Sequence, residues 1–188
     1  MTTRTSPTDS SLHPEPLGAL RVPSPVGDLT IVASRAGVRA VLWPVDGEAA
    51  RTGVDAVEGP NGEATDEVII DVLDRAARQL EEYFAGDRRD FDLPLDPDGT
   101  AFQQRAWTAL RSIGFGDTIS YGEQAERMGD RNLARAVGAA NGRNPISIIV
   151  PCHRVVGTDG SLTGFAGGVE TKRWLLDHEA RVAGVRLL

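Results

Sequence analysis

The chain holds one cysteine, Cys152, in the run Pro151-Cys152-His153-Arg154-Val155. A lone cysteine excludes an internal disulfide and any four-thiolate zinc site, which leaves packing or a reactive thiol. A thiol attacks as thiolate, and at its ordinary pKa of about 8.5 little of it is ionised near neutrality. A nucleophilic cysteine therefore needs an imidazole or a cation nearby, and His153 is its neighbour in sequence. On a regular strand the two side chains would point to opposite faces, so proton transfer between them requires Pro151 to distort the backbone or a water to bridge. A carboxylate on the last helix would complete a triad by orienting the imidazole. Glu179 is the assignment, with Asp177 and Glu170 as competitors on spacing alone. One cysteine and three histidines supply no metal cluster. No cofactor-binding signature accompanies them, so neither a metal nor a cofactor is expected.

The elements that must position these residues are legible in the period of the apolar residues. Residues 1–16 are polar and rich in breakers and read as a disordered tail. Leu29–Ser34 and Val38–Trp43 alternate as strands about Arg35-Ala36-Gly37, a hairpin. Residues 44–64 read as a loop. From Val68 the period turns helical, with Ile69, Val72, Leu73, Ala76, Leu80, Tyr83 and Phe84 on one stripe and Gly86 as the stop. Asp92–Gly99 is a proline-bearing linker that places a domain boundary near residue 96, with 17–95 and 96–188 on either side. Beyond it, Thr100 and Gln103 form a capping box for a helix with Phe102, Ala106, Trp107, Leu110 and Ile113 on one face. Ser120 and Glu123 cap a short helix, and Asp130 caps another from about Arg131 to Asn141, a helix-turn-helix candidate. Ser147-Ile148-Ile149-Val150 predicts a buried strand ended by Pro151. Two glycine-dense loops precede a last helix over about 169–180. The fold class expected is α+β or α/β: a small N-terminal sheet with a crossing helix, then a mostly helical half that carries the helix-turn-helix and the cysteine.

Charge narrows the partners. The net charge is −7, which argues against generic binding to polyanions. Between residues 101 and 156, seven arginines face four acidic residues, so this stretch carries +3 and the remainder −10. One face of the second half could approach nucleic acid while the rest keeps the chain in solution. No apolar run is long enough for a membrane span and the N-terminus lacks a signal-peptide core, so a cytoplasmic protein with no membrane partner is expected.

The Cys152 segment resembles the active-site signature of the O6-alkylguanine-DNA alkyltransferases, the methylated-DNA-protein-cysteine methyltransferases. Ser120-Tyr121-Gly122-Glu123, Ala134–Gly138, Arg143-Asn144-Pro145, Gly164–Gly168 and Trp174–Glu179 look like further motifs of that family, in family order. Together they span roughly residues 100 to 180. The resemblance implies single-turnover transfer of an alkyl group from the O6 atom of guanine in double-stranded DNA to Cys152, by a monomer without a cofactor. It implies that His153 acts as base through a water, that Glu179 holds His153, and that Tyr121 donates to the extruded base. Arg135 looks like the side chain that replaces the extruded nucleotide in the stack, since chemistry on a stacked base requires extrusion. Small Ala134, Ala136 and Gly138 would let the helix backbone approach a narrow groove, and the family docks it in the minor groove. Asn144 looks like the tie between the helix pair and the active-site segment. Val155, Phe165, Ala166 and Gly167 would line the pocket.

Two positions depart from the family pattern. Phe165 stands where tyrosine is frequent, which leaves an aromatic wall without its hydroxyl. Ala166 stands where some members have serine, a harmless change if a backbone N–H makes the contact. The N-terminal half also lacks the cysteines that form a zinc site in some members. Two rival readings share parts of this pattern. A non-catalytic lesion-binding or helix-turn-helix protein would lack a reactive cysteine. A cysteine hydrolase would need His13 or His178 as its base.

Overall fold

The computed structural model describes residues 17–44 and 66–184. The tail expected at 1–16 and the loop expected at 44–64, from residue 45 onward, lie outside the described residues, as does His13.

The hairpin forms where alternation predicts it, as β2 (Leu29–Ser34) and β3 (Gly37–Leu42). A strand that the sequence reading did not mark, β1 (Gly18–Val22), adds antiparallel to β2 and gives the order β1-β2-β3. Only Gly18, at its edge, and Val22 are buried, and so weak an alternation carries little signal. Helix α1 (Glu67–Ala85) opens on Asp66, whose carboxylate accepts from the Val68 N–H, and stops at Gly86 with φ 88°. Its stripe Ile69, Val72, Leu73, Ala76, Leu80 and Tyr83 is buried, and α1 packs on all three strands.

The proline-bearing connection is pinned to the sheet. Val38 N–H donates to the Pro94 carbonyl at 2.9 Å, and Asp96 N–H donates to the Val38 carbonyl at 2.8 Å. Gly37 makes this approach possible: a Cβ there would lie 2.4 Å from the Pro94 carbonyl carbon.

Helix α2 (Ala101–Leu110) carries the complete Thr100–Gln103 capping box. The two-residue strand β4 (Ile119–Ser120) leads into α3 (Tyr121–Arg127), capped reciprocally by Ser120 and Glu123. The third helix starts later than predicted. Asp130 caps a single 3-10 turn, Arg131–Leu133, and α4 occupies Ala134–Asn141. Buried side chains lock the pair and seat it on α2: Asn141 Nδ2 donates to Gln124 Oε1 at 2.7 Å, and Trp107 Nε1 of α2 donates to the Ala140 carbonyl at 2.9 Å.

Residues 147–150 correct the strand prediction. They are buried, but they form a tight turn in which Val150 N–H returns to the Ile146 carbonyl at 2.9 Å. Ile148 sits at φ 75°, rare for a β-branched residue and held here by complete burial. A short apolar run reads alike whether it is a strand or a buried turn. The chain then makes a 3-10 turn, Cys152–Arg154, and a two-residue strand β5 (Val155–Val156) parallel to β4. The last helix, α5 (Val169–Ala183), runs three residues past the prediction to Gly184. One continuous core joins the halves, from Leu29 and Leu80 through Trp107 and Ile146 to Leu175.

Candidate active site

Pro151 does distort the backbone, with φ −83° and ψ 64°, and a 3-10 turn replaces the strand that would have parted Cys152 from His153. Pairing of β5 with β4 fixes this turn beside the start of α3, and hence beside Tyr121. Cys152 is 7% exposed, and His153 and Glu179 are fully buried. His153 Nε2 meets Glu179 Oε1 at 2.8 Å. Asp177 and Glu170 are exposed, so among the three candidate carboxylates only Glu179 reaches the imidazole.

Glu179 is surrounded by donors. Arg154 Nε and Nη2 each donate to it at 2.9 Å, the Tyr83 hydroxyl donates at 2.9 Å and Gly116 N–H at 3.0 Å. Burial opposes its ionisation, but hydrogen bonds from His153 and Arg154 and the charge of Arg154 prevail and hold it well below the usual carboxylate range. Burial pushes His153 below the ordinary imidazole value despite the pull of Glu179. The resting pair is thus a neutral imidazole donating from Nε2 to an anionic carboxylate. Its other nitrogen, Nδ1, is buried and meets no hydrogen-bonding partner among the described residues. Burial raises the Cys152 thiol, and hydrogen bonds with Asn144 and Ser147 and the charge of Lys172 lower it only in part. The turn carries a protonated thiol and, at the following residue, a neutral base whose Nδ1 is uncommitted among the described residues, so the thiolate can form when its proton is accepted.

Asn144 is buried just beyond the end of α4 and bonds to the turn that leads into Cys152. Its Nδ2 donates to the Val150 carbonyl at 2.8 Å, and its Oδ1 accepts from Ile146 N–H at 3.1 Å. Within the helix pair, Gln124 and Asn141 bond to each other. The Tyr121 hydroxyl donates to the Thr163 carbonyl at 3.3 Å. Gly138 lies against the Tyr121 ring, where a Cβ would come within 3.6 Å. Val155 is fully buried, Phe165 and Gly167 are half-buried, and Ala166 is exposed. Phe165 stands edge-on to His153 with centroids 6.3 Å apart. On α4, Arg135 and Ala136 are exposed and Ala134 is half-buried, so the Arg135 guanidinium is free to leave the surface. His178 Nε2 donates to the Tyr83 carbonyl, 2.8 Å away, and the ring stacks on Trp174, which leaves it no part beside the thiol as a hydrolytic base.

Three residues of the site carried no assignment from sequence. Tyr83 reads as one more member of an apolar stripe. Arg154 lies inside the motif without a stated role. Lys172 is fully buried and donates from Nζ to the Val155 and Thr163 carbonyls at 2.6 and 3.0 Å. A signal for it existed: Lys172, Leu175, Leu176 and Glu179 share one helical stripe, and two charges on a buried stripe mark a polar site.

Among the described residues no cluster of His, Cys, Asp and Glu could hold a metal, and no helix is long and apolar enough to cross a membrane.

A buried thiol with an imidazole–carboxylate relay, mounted on a helix-turn-helix half, defines a thiol-dependent transfer protein of α+β fold. Comparison with known proteins makes the class specific. Residues 21–97 match the family model described as 6-O-methylguanine DNA methyltransferase, ribonuclease-like domain, and residues 101–181 match its DNA binding domain. A methylated-DNA–protein-cysteine methyltransferase of Methanosarcina acetivorans is 42% identical over 156 residues, 83% of this chain and 94% of the relative. Its counterpart in Mycolicibacterium paratuberculosis is 48% identical over 162 residues, 85% and 90% of the two chains. A Mycobacterium tuberculosis structure in complex with DNA superposes with a TM-score of 0.72 at 41% identity, covering 86% of this chain and 92% of that one. The chain belongs to the methylated-DNA–protein-cysteine methyltransferase family.

Proposed function

We propose that this protein repairs alkylated DNA by moving an alkyl group from the O6 atom of guanine in double-stranded DNA onto Cys152, once per chain. The observation that carries the reading is the 2.8 Å contact between two fully buried residues, Glu179 on α5 and His153 in the turn that also holds the one thiol. His153 takes the thiol proton on Nδ1 through a bridging water. The sulfur forms a bond to the alkyl carbon as the carbon–O6 bond breaks, and that electron pair stays on the guanine. Tyr121 donates to the leaving base and offsets its charge, and the proton lost by the thiol ends on the guanine. Val155, Phe165, Ala166 and Gly167 enclose the extruded base, and Asn144 holds the turn that bears the thiol.

Residues 96–188 take the DNA-binding and transfer roles and residues 17–95 support them. Helix α4 meets the groove with Ala134, Ala136 and Gly138, and Arg135 fills the gap left by the extruded nucleotide. A single chain suffices, without metal or cofactor. A thioether has no good leaving group, so the transfer ends the protein's activity.

Titration with excess duplex DNA containing O6-methylguanine, followed by mass spectrometry and digestion, tests this. One methyl group per chain, on Cys152, is expected. More than one per chain, a different modified residue, or undiminished transfer in Cys152→Ala would overturn it.

A further inference from the structure

Trp43 follows β3 in the N-terminal half, yet its ring reaches the active-site loop. It is 8% exposed and stands edge-on to Phe165, with centroids 5.3 Å apart. Phe165 in turn stands edge-on to His153. Behind it, Gly167 is pressed so closely onto the indole that a Cβ there would lie 2.8 Å from the indole Cδ2 and Cε3.

The loop has little of its own to fix this wall. Gly164 and Gly168 take φ of 45° and 87°, and a single backbone hydrogen bond, from Gly168 N–H to the Phe165 carbonyl, closes its turn. At its start, Thr163 is held by Lys172 and Tyr121. From Phe165 to Gly167 the ring of Trp43, among the described residues, backs the loop on the side away from His153. The buried indole N–H meets no acceptor among the described residues, although an all-carbon ring would fill the space without leaving a donor unpaired. What the indole adds over a smaller ring is reach toward Phe165 and Gly167.

We propose that Trp43 is a specificity-determining positioning residue that sets how far Phe165 can recede from His153, and so the largest alkyl group that Cys152 accepts. The proposal rests on alkyl transfer to Cys152. Deleting the indole gives Phe165 room to move away from the imidazole, and a bulky adduct gains more from that space than a methyl group does. One methylene in an apolar pocket is worth about 10- to 200-fold in discrimination, so a whole ring behind the wall has ample leverage.

Single-turnover transfer to the full chain, from duplexes that differ only in carrying O6-methylguanine or O6-benzylguanine, tests this with Trp43→Ala and Trp43→Phe. The ratio of benzyl to methyl rates is expected to rise about tenfold or more in Trp43→Ala and about threefold in Trp43→Phe. Loss of stability alone would lower the active fraction equally for both substrates and leave the ratio in place. A ratio unchanged within about twofold, while the unaltered chain transfers normally, overturns the proposal. If Trp43→Ala does not fold, Trp43→Phe decides alone by the same criterion. Absence of any Cys152 adduct in the unaltered chain removes the transfer reading, and this proposal with it.

Discussion

Protonation at His153 and Glu179 governs both rate and stability. Because burial lowers His153, its neutral, proton-accepting form persists below about pH 6.5, the ordinary imidazole value. The acid limb of alkyl transfer should therefore lie below that value in a pH–rate profile measured in single turnover. His153→Ala should keep DNA binding and slow transfer by about 10²- to 10⁴-fold, the usual worth of a positioned base. Tyr83→Phe removes a donor from the oxygen that holds His153. The carboxylate then pulls harder on the imidazole proton, and the acid limb should move to higher pH; an unmoved limb would reduce Tyr83 to packing. The same shifts bear on stability. Each group binds its proton less readily folded than unfolded, so their contribution is complete above about pH 6.5. It is lost as pH falls, first through His153 and then, below the ordinary carboxylate value, through Glu179. Melting temperature should fall steadily from pH 7 to pH 4, and a flat profile would contradict the buried relay.

Two elements illustrate how local sequence and local chemistry meet. Helix α4 is short, rich in small residues and exposed along the side that bears Arg135, and it gains its rigidity from Asn141 and Trp107 rather than from its own caps. Arg135→Ala should slow repair in duplex DNA at least about tenfold more than transfer from a free benzylated guanine, because only the duplex demands extrusion at a cost of a few kcal/mol. Equal losses on both substrates would remove that role. The turn at 147–150 shows the opposite case. Its apolar residues predict burial correctly and conformation wrongly, since Ile148 takes positive φ only because burial and the Asn144 hydrogen bonds hold it there.

At the scale of the molecule, the halves are joined by the extended connection on β3, by one core and by side chains that reach across. Gly37→Ala would push a Cβ into the Pro94 carbonyl at an already positive φ of 151°. It should destabilise the whole chain by about 1–3 kcal/mol, read by denaturant unfolding. Alkylation should act in the same direction. Cys152 is buried against Asn144 and Ser147, so an added group overpacks the site. The reacted protein should melt below the free one, and equal melting temperatures would contradict it.

Periodicity and caps, which are local, made most elements legible: the hairpin, α1 with its Gly86 stop, and the capping boxes at Thr100 and Ser120 all stand in the residues themselves. The motif around Cys152 identified the thiol and its imidazole neighbour in the same way. Contacts between residues far apart in the chain leave no such trace. Spacing alone leaves Glu179 level with Asp177 and Glu170; the family resemblance singles it out, and the placement of α5 behind His153 gives the contact its physical reason. Finding Tyr83 on that carboxylate and Trp43 on the active-site loop required the sheet half to dock on the helical half. A side chain's partner across the fold is set by how whole elements pack, and packing is decided only when the complete core is assembled.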